Sequence, residues 1–153
     1  MTRPTAKILT VYDVVLLVFL SYMLFRLWPD AAWNPASILG MQLSADVRIM
    51  LIVVLAGALG TITRNTFFFT TNIGWGQEYE SWDLYYIILP FVGGTLALIV
   101  YFALRGGVLG PSGQASDINV FGVATYAALV GMFTYEAIQK LREVFLTLFK
   151  TTS

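Results

Sequence analysis

The sequence predicts an all-α polytopic membrane protein, with four transmembrane helices followed by a C-terminal amphipathic helix, and three observations predict it. Of 153 residues, 58% are hydrophobic and 12% charged, with a mean hydropathy of +0.74; that balance is too apolar for an ordinary water-soluble domain. Leu84 to Leu104 carries no charged residue and matches the roughly 20 residues a helix needs to cross about 30 Å of hydrocarbon. From Glu136 to Lys150 the pattern changes: Ile138, Leu141, Phe145 and Leu148 recur at spacings of 3 and 4 among Glu136, Gln139, Lys140, Arg142 and Glu143, the seam of an amphipathic helix. The division that follows is a transmembrane domain over 1–135 and an amphipathic helix and tail over 136–153 on the cytoplasmic side.

Composition removes several function classes. Nine basic and nine acidic residues cancel without any run of like charge, so no nucleic-acid footprint is expected. Zero cysteines and zero histidines remove disulfides, thiolate ligands and the commonest general base and metal ligand. No catalytic set, metal site or cofactor is predicted.

The first span runs from Ile8 to Trp28 after a short basic start at Arg3 and Lys7. Its length, and the absence of small residues at its end, predict a retained signal anchor rather than a cleaved leader. Asp13 stands about 8 Å inside it at 1.5 Å per residue. An ionisable group at membrane depth is a functional candidate; the plainer reading is an interfacial carboxylate paired with a tyrosine or a nearby cation. Pro29 ends this helix. In the connection to Asp46, Asn34-Pro35 opens a short turn or helix, and Trp33, Ile38, Leu39 and Met41 suit the interface.

The second span covers Val47 to about Thr63, with Ser44 or Asp46 as its cap. Ala56, Gly60 and Arg64 fall at i, i+4 and i+8, a stripe of small residues leading to a cation. Asn65 to Asp83 is aromatic and extends the helix before Gly74 and Gly76 turn the chain. Glu78, Glu80 and Asp83 either collect a hard cation or form a solvated loop.

In the third span, Trp82, Tyr85 and Tyr86 form one aromatic belt, and Arg105 snorkels at the far end. Pro90 predicts a kink. Gly93, Gly94 and Ala97 predict close helix packing, with a Pro90, Gly93, Gly94 gating hinge as the second reading. After a flexible turn, Ser116 or Asp117 caps the fourth span, Ile118 to about Tyr135, whose small residues favour packing over lipid contact. No helix breaker follows Gly131, so this span is expected to run straight out as a stalk. Glu136 to Lys140 is a favourable helical ion pair. Two heptads are short for an independent coiled coil, so the tail either lies on the membrane or bundle, or docks a second copy or a partner through Ile138, Leu141, Phe145 and Leu148.

With the N terminus inside, six cations (Arg3, Lys7, Arg64, Lys140, Arg142, Lys150) face the cytoplasm and three (Arg26, Arg48, Arg105) the other side, so both termini are expected to be cytoplasmic. The blocks Val53 to Gly60 (VVLAGALG), Trp82 to Gly93 (W-x-x-x-Y-x-x-x-P-F-x-G), Arg105 to Gly107 (RGG) and Gly131 to Phe149 (G-x-F-x-x-x-A-x-x-K-L-x-x-V-F-x-x-L-F) together resemble a group of small bacterial four-span proteins. The likeness covers about the last two thirds of the chain, and the Asn65 to Trp75 region departs from it. The resemblance implies architecture, bacterial origin and inner-membrane placement, and carries no activity with it.

The functional expectation is an oligomeric membrane protein that forms or regulates an ion-conducting pore, with Asp13, Arg64, Glu78, Glu80, Asp83 and Arg105 as the candidate ion-interacting residues. The alternative is a non-conducting scaffold or accessory subunit that binds a protein partner through its C-terminal helix. The expected partners are the lipid bilayer and further copies of the chain.

Overall fold

The structure is a computed structural model and describes residues 3–29, 37–38, 41–73, 83–107 and 119–148. Among these residues the helices are α1 (Arg3–Leu27), α2 (Ala45–Ile73), α3 (Asp83–Arg105), α4 (Val120–Met132) and α5 (Thr134–Leu148). The first three are long and apolar enough to cross a membrane; α4 and α5 make a fourth span only when taken together across a bend of 100°. Asn34-Pro35, expected to open a short turn or helix, lies outside the described residues; beyond it Ser37–Ile38 (β1) pairs antiparallel with Met41–Gln42 (β2).

Helix ends follow local chemistry. α1 stops at Leu27, ahead of Pro29, and its last carbonyls are taken by a side chain from the next helix. Arg48 Nε donates to the Leu27 carbonyl and Nη2 to that of Trp28, both at 2.6 Å. A cation is well placed there, because the free carbonyls of a helix C-terminus carry partial negative charge. Ser44 caps α2, its Oγ accepting from Val47 N in a long 3.4 Å bond. α2 continues unbroken through Asn65 to Ile73, as its aromatic extension predicts.

α2 is the central helix. α1, α3 and α4 all pack on it, and α3 and α4 also touch each other. Ile49, Ile52, Val53 and Ala56 on α2 join Leu96, Ala97 and Val100 on α3 and Ala124, Ala127 and Val130 on α4 in the main core. Ala58 and Ile62, on another face of α2, meet Leu20 of α1. The outer side of α1 is apolar and exposed, at Val11, Val14, Val15, Val18, Phe19 and Tyr22. In water such a face would be a liability; in a bilayer it is the ordinary lipid-facing surface.

Glycines let the backbones approach. A Cβ on Gly131 of α4 would overlap the carbonyl oxygen of Gly57, and one on Gly60 would overlap that of Ala128. On the α3 side, a Cβ on Gly93 would overlap Thr61 Oγ1. Between helices in lipid the hydrophobic effect supplies little drive, so close van der Waals contact and interhelical hydrogen bonds take its place.

The expected stalk is absent. α4 ends at Met132, Phe133 leaves helical geometry at φ −108°, ψ 46°, and α5 departs at 100°. The cause lies at Gly131 rather than at a proline. Thr134 Oγ1 donates to the Gly131 carbonyl at 2.6 Å, and Thr61 Oγ1 from α2 reaches the same oxygen at 2.9 Å. Side chains thus take over a carbonyl that a continuing helix would use. The fourth helix is also shorter than Ile118 to Tyr135, and its cap is neither Ser116 nor Asp117, which lie outside the described residues. Asn119 fills that role, its Oδ1 accepting from Phe121 N at 3.0 Å and Gly122 N at 3.3 Å.

Candidate functional site

Along α1 the residues turned inward are Leu9, Asp13, Leu20 and Leu27, one helical stripe with a carboxylate in an otherwise apolar series. Asp13 is only 3% exposed. The matching stripe on α2 is Ala58, Ile62 and Asn65, and Asn65 is 2% exposed. Arg48 on the Leu27 carbonyl and Leu20 against Ala58 and Ile62 set α1 and α2 antiparallel. From the Leu20–Ala58 contact, Asp13 lies seven residues back along α1 and Asn65 seven residues on along α2. Both steps are about 10 Å in the same direction, so the carboxylate and the amide come to one level of the helix pair.

Asp13 Oδ2 and Asn65 Nδ2 are both buried without a hydrogen-bond partner among the described residues. Each such atom costs about 1–3 kcal/mol, and a carboxylate inside a span costs more again. Tyr12 ties this end of α1 to α3, its hydroxyl donating to the Ile87 carbonyl at 3.1 Å. That bond holds this end of α1 against α3. A carboxylate oxygen accepts a proton or a cation, and an amide offers NH2 on one side and C=O on the other. A small polar guest between helices suits that set.

The other predicted residues are spread through the molecule. Arg64, next to Asn65 on α2, is exposed and lines a cleft of about 440 Å3 with residues of α3 and α5. Arg105 sits at the other end of the bundle, where Nη1 bonds Asp46 Oδ1 and Tyr101 Oη, each at 2.9 Å. A cavity of about 220 Å3 between α2, α3 and α4 adjoins this pair. Glu78 and Glu80 lie outside the described residues, as does the side chain of Asp83, the first residue of α3. The candidates that are described thus form no single lining: Asp13 and Arg64 stand at one end and Arg105 at the other.

α3 runs as one helix through a fully buried Pro90, and Gly93 and Gly94 are pressed against α2. On α5, Ile138, Phe145 and Leu148 are exposed, whereas Leu141 packs against the main core. The expected Glu136–Lys140 pair gives way to Lys140–Glu143 at 2.9 Å. Both ends of that pair are well exposed, so little energy separates the two choices.

Sequence reasoning missed Asn65, Arg48 and Thr61. For Asn65 a signal was present: it continues the Ala58, Ile62 stripe at helical spacing, and a polar residue on a buried stripe is informative. Among the described residues no group of three or more histidine, cysteine or acidic side chains gathers in metal-binding range. Comparison of the chain with protein-family models, with curated proteins and with solved structures finds no match.

Proposed function

We propose that this is an oligomeric protein of the bacterial inner membrane that forms or regulates an ion-conducting pore, with both termini cytoplasmic. The observation that carries the reading is Asp13, a carboxylate 3% exposed within the first apolar span, whose Oδ2 has no partner among the described residues. Leucine there would continue the stripe at lower cost. Ionisable groups kept inside spans against that cost mark ion and proton paths, and Asn65 at the same level supplies the second polar group. The six-to-three excess of cations supports the orientation, and the exposed apolar face of α1 leaves room for subunit contact. In liposomes containing only this protein, ion or proton flux is expected, with D13N lowering it about tenfold, a barrier increase of about 1.4 kcal/mol, while leaving assembly intact. Silence across voltages, pH values and common ions would rule out a pore formed by this protein alone.

A scaffold or accessory role is the second reading, and one feature favours it. α5 leaves the bundle at 100° with Ile138, Phe145 and Leu148 exposed, a surface on which another protein can dock. A pull-down with and without residues 136–150 separates the two: a partner lost on truncation supports the scaffold, and a clean homo-oligomer supports the pore.

A further inference from the structure

The cleft beside Arg64 has a polarity that changes along its length. Its polar lining is Arg64, Tyr85, Tyr135 and the buried Thr134, and its apolar lining is Ile88, Leu89 and Val92 of α3 with Ile138 of α5. α3 enters the bundle from Asp83, so Val92 lies seven residues beyond Tyr85, about 10 Å further toward the middle of the span. Arg64 follows the apolar run Val47 to Thr63, broken only by Arg48, and lies in the last turn of the span Ala45–Phe68, from where a long side chain snorkels to the headgroups. Among the described residues the Arg64 guanidinium has neither an ion-pair nor a hydrogen-bond partner.

We infer that this cleft holds one anionic phospholipid, its phosphate at Arg64 and the two tyrosines and one acyl chain along Ile88 and Val92. A guanidinium offers paired donors that match two phosphate oxygens, and tyrosines at this depth give a hydroxyl to the headgroup and a ring to the chain. At about 440 Å3 the space falls within the roughly 300–1,000 Å3 usual for small-molecule sites. A free phosphate has no use for the apolar wall. A second protein chain has no need of a cation followed by a mostly apolar slot. The assignment is independent of ion conduction.

The test is native mass spectrometry of the full chain, titrated with phosphatidylglycerol or phosphatidylcholine of the same acyl chains. One phosphatidylglycerol is expected to remain bound per chain, with about tenfold preference over phosphatidylcholine, and R64Q to reduce that preference to about twofold. V92W, which fills the apolar wall and keeps the cation, is expected to lower retention of both lipids while helicity is unchanged. Wild-type lipid selectivity in R64Q, or wild-type retention in V92W, overturns the assignment. So does displacement of the lipid by millimolar inorganic phosphate, which marks a headgroup-only site, or a lipid-free dimer that R64Q dissociates, which marks a second copy in the cleft.

Discussion

Gly131 of α4 lies against Gly57 of α2 so closely that a methyl group on the first would overlap the carbonyl oxygen of the second. This contact is where the shortest helix of the bundle meets the central one, and it stands beside the 100° turn into α5. Replacing Gly131 by alanine is expected to destabilise the bundle by about 1–3 kcal/mol through overpacking, read as a lowered midpoint in denaturant titration of the micelle-embedded protein. Gly122→Ala is the control. Its new methyl group would meet only Asn119 atoms at 3.9 Å, so the helix propensity gain of about 0.5–1 kcal/mol should remain.

Thr61 and Thr134 share one acceptor, the Gly131 carbonyl. Thr61→Val or Thr134→Val alone leaves that oxygen with one donor, and each should cost about 0.6 kcal/mol, the usual scale for hydrogen bonds between membrane helices. The double variant strands a buried carbonyl. Its cost is expected to exceed the sum of the single ones by about 1 kcal/mol. Additive losses in the same unfolding assay would mean that the two hydroxyls do not act on one group.

Arg48 serves α1 from α2. Arg48→Met removes two 2.6 Å bonds to the Leu27 and Trp28 carbonyls, and a loss of about 1.5–3 kcal/mol is expected for charge-assisted bonds. The loss should be local in origin, so hydrogen exchange ought to rise first in the last turn of α1. Uniform acceleration through all helices would argue against a cap.

The Arg105–Asp46 pair joins α3 to α2 at the opposite end from Asp13 and is partly open to solvent, with side chains 29% and 50% exposed. Its coupling in a double-mutant cycle with Arg105→Gln and Asp46→Asn is expected to be below about 1 kcal/mol and to shrink with added salt. A large, salt-insensitive coupling would show that the pair is buried in the assembled protein.

Asp13 allows stability and activity to be set against each other. Asp13→Leu removes a carboxylate from an apolar stripe, so the bundle should gain about 1 kcal/mol or more while the proposed flux disappears. Unfolding and flux measured on one preparation check both halves. A destabilised Asp13→Leu would mean that the carboxylate has a structural partner.

Much of this fold was legible because lipid imposes simple rules. Three apolar runs became α1, α2 and α3, and Pro29 and Ser44 bounded helices as backbone chemistry requires. Small residues on α2, α3 and α4 became contacts. The turn after Met132 was not legible, because it depends on Thr61, a residue 70 positions from Gly131. Arg48 was visible only as one of three cations on the non-cytoplasmic side, because its acceptors belong to a different helix. Asp13 stood out as an anomaly in its own span, but Asn65 acquires meaning only once α1 and α2 are set side by side.

The brevity of α4 has a consequence for the surrounding lipid. Its 13 residues rise about 20 Å, while α2 and α3 are long enough to cross about 30 Å of hydrocarbon. The perimeter therefore asks for two bilayer thicknesses, full height along α1 to α3 and a dent beside α4. Thinning costs fractions of a kcal/mol per Å, so about 10 Å of mismatch stores a few kcal/mol of elastic strain.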